Sequence, residues 1–196
     1  MRPQVYVMLK EPHAGRVKTR LGRDIGMVPA AWWFRHQVRR ILRRLEDPRW
    51  DLILAVSPDI EGLESRIWPD HFDRVAQGTG TLGDRMKRIF QTAPKGPVLI
   101  IGTDIPDISK HHIRAAFRAL GRSDAVIGPA PDGGFWLIGM TRLRAVHNQL
   151  FDKVRWSSEH TLKDTLKTLP DKRITYLETL EDVDTIDDLR ALTQQG

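Results

Sequence analysis

The sequence predicts an α/β fold: a mostly parallel sheet covered by helices on both faces, which makes a three-layer α/β/α sandwich. Two observations carry this. Apolar, β-branched runs recur along the chain, and the middle ones are nearly continuous rather than alternating, as in strands buried on both faces. Segments with helical apolar spacing lie between them, as in chains that wind a sheet with crossover helices. At 196 residues, with no repeat, low-complexity tract or linker, the chain is expected to form a single domain over residues 1–196.

Taken in order, Val5–Leu9 is the first expected strand. Pro29–Leu45 follows as a helix, with Trp33, Val38, Ile41, Leu42 and Leu45 at helical spacing. Leu52–Val56 is a strand, Leu82–Phe90 a helix with Leu82, Met86, Ile89 and Phe90 on one side, and Val98–Ile101 a strand. Ser109–Leu120 starts with an N-cap serine and carries Ile113, Ala116, Phe117 and Leu120. Ala125–Ile127, Phe135–Ile138 and Ile174–Leu177 are further strands, and Ser157–Leu169 and Thr185–Leu192 further helices.

The composition excludes several function classes. There is no cysteine, so disulfides, thiolate metal sites and cysteine nucleophiles are ruled out. No apolar run approaches the ~20 residues that span a bilayer, and a cytoplasmic protein is expected. The net charge is +6, part of it concentrated in Arg35–Arg44, "RHQVRRILRR", with the opposite bias over Leu177–Leu189. Such a balance suits phosphate-bearing partners or a peripheral contact with anionic lipid heads, and also suits a merely solvated helix face. No nucleic-acid-binding motif is present and no aromatics interleave the basic stretch, so no specific nucleic acid is expected.

Ligands of open α/β sheets bind outside the carboxyl ends of the strands, and three loops there carry chemistry. "KEPHAGRVKTRLG", Lys10–Gly22, leaves the first strand with Gly15, Lys18 and Arg20; it reads either as a solvated turn or as an anion-binding loop. It is neither a Walker A loop nor a G-x-G-x-x-G fingerprint. "VLIIGTDIPDI", Val98–Ile108, puts Asp104 at the end of a buried strand, where a carboxylate suits a hard cation such as Mg²⁺ or a substrate contact, and Asp107 where it can N-cap the next helix. "IGPAPDGGFWLIG", Ile127–Gly139, sets Asp132 before two glycines, which is also the commonest hairpin signal; Phe135 and Trp136 pack in the core or line a pocket. Near the end, Asp182 and Asp184 precede a helix, as caps or as a second metal carboxylate. Trp156-Ser157-Ser158 forms an acceptor-side loop or starts a helix, and the pair His111-His112 reads as surface.

Together these stretches resemble a bacterial glycosyltransferase-A-like (GT-A-like) family, related in fold to small nucleotidyltransferases of the molybdopterin and phospholactate type. The matching segments are "KEPHAGRVKTRLG", "QGTGTLGDRM" at Gln77–Met86, "GTDIPDI", "GPAPDGGFWLIG" and "DVDTIDDL", in order and over nearly the whole chain. The resemblance implies a nucleotide-diphospho-sugar transferase fold. It implies that Lys10, Gly15, Lys18 and Arg20 face the phosphates and that Gly80, Leu82, Gly83 and Arg85 build the adjoining nucleotide loop. Asp104 would bind Mg²⁺ or Mn²⁺, Asp184 would complete the metal site, and Asp132 would act on the acceptor, with Lys18 and Arg20 assisting catalysis.

The function this implies is group transfer from a nucleotide or sugar-nucleotide donor to an unknown acceptor. A glycosyltransferase is favoured over a nucleotidyltransferase because the first loop is proline-bearing and poor in glycine. The family usually has an acid immediately before Asp132, where this chain has Pro131. That departure keeps open a catalytically inactive nucleotide-binding regulatory protein.

Overall fold

Residues 4–10 are the strand around which the sheet is assembled. In the computed structural model, which describes residues 2–143 and 145–194, β1 (Gln4–Lys10) pairs in parallel with β2 (Asp51–Ser57) on one side and β4 (Gly96–Ile101) on the other. The sheet has seven strands in the order β3-β2-β1-β4-β6-β5-β7, with β3 at Arg74–Ala76, β5 at Ala125–Pro129, β6 at Phe135–Arg142 and β7 at Ile174–Tyr176. Among the described strands β6 alone runs antiparallel, lying between β4 and β5.

Alternation along β1 divides the core. Val5, Val7 and Leu9 point to a layer that holds α2 (Met27–Leu45) and α5 (Lys110–Leu120), through Phe34, Val38, Ile41, Ile113 and Ala116. Tyr6 points to the other face, packed with Met86, Ile89 and Phe90 of α4 (Leu82–Thr92) and with Leu162 and Leu166 of α6 (Thr161–Lys167). Burial of both faces explains why the central strands lack polar alternation. The expected three layers and mostly parallel sheet are therefore present.

Several elements differ from the sequence expectation. Residues 19–25 are not loop but a short helix, α1 (Thr19–Ile25), which ends at Gly26 with φ 95°. Its seven residues bury only Leu21 and Gly22, too few to show a period. α3 (Asp59–Leu63) and the three-residue β3 were not expected for the same reason. The helix expected over Ser157–Leu169 is confined to Thr161–Lys167, because Ser157 takes a left-handed φ of 55° and the buried Asp164 ties the preceding loop down. Asp164 accepts from Arg155 Nε at 2.6 Å and Lys167 Nζ at 2.9 Å, and the Arg155 bonds above all hold its carboxyl well below the usual range. Ser109, not Asp107, precedes α5, and the Ser109 N–H donates to His112 Nδ1 at 3.1 Å. His112 is consequently not a surface residue: it packs on Trp136 with ring centroids 5.8 Å apart. The last helix is α7 (Ile186–Gln194).

Gly139 sits in β6 opposite Leu99 and Val126, where an added Cβ would overlap both side chains. Gly139→Ala is therefore expected to destabilise the fold by about 1–3 kcal/mol, the usual cost of overpacking. Thermal or denaturant unfolding would read this as a lower midpoint.

Candidate functional site

The loop after β1 is anchored before it reaches the site. Glu11 is buried, donates its N–H to Ser57 O at 2.9 Å, and accepts from Trp68 Nε1 at 2.6 Å and Ser65 Oγ at 3.0 Å. The chain then turns through His13 and Gly15, whose φ is 77°, and arrives at Lys18 in the left-handed region with φ 46° and ψ 46°. A lysine there costs of the order of 1 kcal/mol or more. The cost is offset by what the side chain reaches. Lys18 Nζ contacts the Asp104 carboxylate, donates to Asp184 Oδ1 at 2.7 Å and to Val183 O at 2.7 Å. Its side chain is only 3% exposed. Burial alone would lower its pKa, but the Asp104 and Asp184 carboxylates outweigh burial and hold it above the ordinary lysine value.

The two carboxylates come from distant segments. Asp104 follows the end of β4, where Gly102 N–H donates to Trp136 O at 3.1 Å, and Val183 N–H donates to Asp104 O at 3.0 Å. Asp188 at the start of α7 accepts from the N–H groups of Asp184 at 2.9 Å and Thr185 at 2.8 Å, which fixes residues 183–185 against β4. Arg20, 69% exposed, brings Nη1 to 3.7 Å from Asp184 Oδ2.

These groups border a cleft of about 710 Å³ at the carboxyl ends of β1 and β4. Five cationic side chains line it, Lys10, Arg16, Lys18, Arg20 and Arg85, against two carboxylates, Asp104 and Asp184, so its field suits an anion. Opposite the basic loop, Gln77 is buried and donates to Leu9 O at 3.1 Å and Ala55 O at 2.8 Å, closing off the ends of β1 and β2. Arg85 Nε donates to Gly80 O at 3.2 Å and Nη1 to Gln77 Oε1 at 3.4 Å. A capping box of Thr81 and Asp84 starts α4 directly beside it, with Leu82 44% exposed at the cleft. Met8, Phe34 and Phe135 add an apolar floor.

Of the residues singled out from sequence, Lys10, Lys18, Arg20, Gly80, Leu82, Arg85, Asp104 and Asp184 all line this one cleft. Gly15 and Gly83 do not. Gly15 shapes the turn, and Gly83 lets α4 approach Phe151 and Trp156, where a Cβ would come within 2.8 Å of both side chains. Asp132 is not among the lining residues either; its Oδ1 accepts from Gly134 N–H at 2.8 Å in the turn between β5 and β6. Arg16, Thr19 and Gln77 line the cleft too, although the sequence assigns them no role. The signal for Gln77 is its place at the head of "QGTGTLGDRM". Ser157 lines it too, and Phe135 and Trp136 both serve the cleft, Trp136 while buried with Nε1 donating to Glu178 O at 3.0 Å.

Asp104 and Asp184 meet at one shared cation, the Lys18 ammonium, so their oxygens lie close enough to serve one ion. Two partly exposed carboxylates fit a hard divalent cation that completes its shell with water and phosphate oxygens. No group of three or more His, Asp or Glu with metal-binding arrangement occurs among the described residues.

A third carboxylate is electrostatically disfavoured. Asp182 is raised above the ordinary carboxylate value, first by burial, then by the neighbouring Asp184 and Asp132 charges. A raised native pKa means the native state holds this proton more tightly than the unfolded chain does. Stability from Asp182 is then present at acid pH and lost as pH rises from the ordinary carboxylate range through the raised value. Asp182→Asn is expected to raise the melting temperature at pH 7, with the gain vanishing at low pH; scanning both proteins across pH checks this.

A family model described as "Uncharacterized protein conserved in bacteria (DUF2064)" matches residues 41–158. No curated protein matches the sequence. Among solved structures, a Desulfovibrio desulfuricans protein provisionally named a nucleotide-diphospho-sugar transferase is 32% identical and superposes with a TM-score of 0.89, covering 100% of this chain and 88% of its own. Two more distant structures share the fold. A 4-diphosphocytidyl-2C-methyl-D-erythritol synthase from Anaerococcus prevotii has 11% identity, a TM-score of 0.61, and coverage of 98% and 96%. A Mycobacterium tuberculosis protein solved in complex with manganese has 16% identity, a TM-score of 0.56, and coverage of 99% and 100%. The fold is that of nucleotide-diphospho-sugar transferases, and the chain belongs to the DUF2064 family of bacterial proteins.

Proposed function

We propose that the chain, as one unit over residues 1–196, is a nucleotide-dependent group transferase, and that its donor is a sugar nucleotide. The observation that carries this is the cluster of five cations around two carboxylates in the cleft at the carboxyl ends of β1 and β4. The name given to the Desulfovibrio relative supports a sugar nucleotide, as does the glycine-poor first loop.

Lys10, Arg16, Arg20 and Arg85 bind the diphosphate oxygens of the donor, the arginines with the planar fork that suits paired oxygens. Lys18, fixed between Asp104 and Asp184, keeps a positive charge beside the phosphate that leaves. A Mg²⁺ or Mn²⁺ held by Asp104, with Asp184, supplies further charge neutralisation there when bound. The manganese complex of the mycobacterial protein is in line with such a site. Asp132 takes the proton of an acceptor hydroxyl as its oxygen bonds to the sugar carbon and the carbon–oxygen bond to the diphosphate breaks.

Two other readings have specific support. A nucleoside triphosphate in the same cleft gives a nucleotidyltransferase, with pyrophosphate leaving, as the name of the Anaerococcus enzyme suggests. A regulatory nucleotide-binding protein is favoured by Pro131 and by the engagement of Asp132 with Gly134.

A thermal-shift panel of sugar nucleotides and nucleoside triphosphates, with and without Mn²⁺, separates them. A true donor at about 100 times its dissociation constant stabilises the fold by about 2.7 kcal/mol. Arg20→Ala should weaken donor binding about 10- to 100-fold, the worth of a charged hydrogen bond, while leaving the melting temperature of the free protein nearly unchanged. Equal calorimetric affinity in the two proteins would overturn the phosphate role of the loop. Asp104→Asn should abolish any Mn²⁺ dependence of binding. Asp132→Asn should spare donor affinity and slow turnover about 10²–10⁴-fold; unchanged turnover would make Asp132 a turn residue only.

A further inference from the structure

The outer face of α2 carries two features that the cleft does not use. Its first turns expose Val28 and Trp32, at 70% and 63%. Val28 and Trp32 are four residues apart and so share one face. The next turns of the same face expose Arg39, Arg40 and Arg43, none of which has an ion-pair partner among the described residues. No Asp or Glu occurs between Asp24 and Glu46. Arg44, also exposed, differs from them in donating to the carbonyls of Pro106 and Ile108. From Val28 to Arg43 the stripe is about 22 Å long.

We propose that this face of α2 docks the protein on the surface of an anionic lipid bilayer. Exposed tryptophan with aliphatic neighbours partitions into the headgroup region, and unpaired arginines meet lipid phosphates. No described helix is long and apolar enough to cross a membrane. Nucleic acid fits less well. It gains nothing from Val28, and one side of Trp32 is covered by His36, whose ring centroid lies 3.8 Å away. A second copy fits less well too. Covering the whole stripe would bury three unpaired guanidinium groups per chain, with no carboxylate on either helix to meet them. Phe34, on the opposite face of α2, lines the cleft, so docking would hold the cleft about one helix diameter, ~10 Å, from the lipid headgroups.

Vesicle flotation of the full chain tests this, with phosphatidylcholine vesicles alone and with added phosphatidylglycerol, at low and high salt. The protein should float only with phosphatidylglycerol and be released by salt. Each arginine near an anionic surface is worth about fivefold in partitioning, so R39Q/R40Q/R43Q together should lower it about 100-fold. Trp32→Ser should lower it about tenfold or more; Val28→Ser serves as a second apolar variant should Trp32→Ser fail to fold. Trp32→Phe should still float but lose the fluorescence blue shift that vesicles induce in the wild type. Absence of flotation at low salt would overturn the proposal. So would flotation indifferent to both the arginine and the Trp32 changes, a Trp32-dependent dimer in light scattering without vesicle binding, or duplex DNA bound through the same arginines with no vesicle binding.

Discussion

One buried ammonium group holds the carboxyl edge of the sheet together. Lys18 Nζ joins the loop after β1 to the end of β4 through Asp104 and to the segment before α7 through Asp184 and the Val183 carbonyl. The arrangement is stable only as a whole. Removing the cation would leave two carboxylates facing one another, and removing either acid would leave a buried lysine partly compensated. The left-handed backbone of Lys18 belongs to the same arrangement, because it aims the side chain inward while α1 begins at the next residue. Arg20, two residues further, is left at the surface, paired only at 3.7 Å with Asp184.

The rest of the cleft is arranged around strand ends whose carbonyls are paired. Gln77 satisfies the Leu9 and Ala55 carbonyls, and Arg88 donates to the Gln77 and Thr79 carbonyls, so the loop that presents Arg85 is fixed from both sides. Buried polar groups of this kind are costly unless fully satisfied, and here they are satisfied by backbone. The outcome is a basic cavity whose five cations outnumber its two carboxylates.

Much of this was legible in the sequence. The α/β class followed from continuous apolar runs alternating with helical segments, and Lys18, Arg20, Arg85, Asp104 and Asp184 were named from their motifs and converge on one cleft. What escaped were contacts between segments far apart in the chain. Glu11 reads as one more charge in a solvated loop, yet its partners Ser65 and Trp68 lie more than fifty residues away, so burial could not be inferred locally. Lys18 reads as a phosphate ligand, and nothing in its neighbourhood announces two carboxylate partners from residues 104 and 184. Short elements escaped for a different reason: α1, α3 and β3 are too brief for a period to emerge. Asp132 shows the converse, since an Asp-Gly-Gly run carries the same letters in a catalytic loop and in a hairpin turn.

The antiparallel β6 has a consequence for synthesis on the ribosome. When residues 96–101 have emerged, β4 can pair with β1, but its other edge stays bare until residues 135–142 arrive to fill it. At ~5–20 residues per second that interval is of the order of seconds. During it the nascent chain presents an apolar edge, Val98 to Ile101, open to pairing with another chain. The carboxylate at residue 184 emerges later still, 166 residues after Lys18, which waits that long for its second partner. Truncated chains ending before β6 should therefore be the species that chaperones hold.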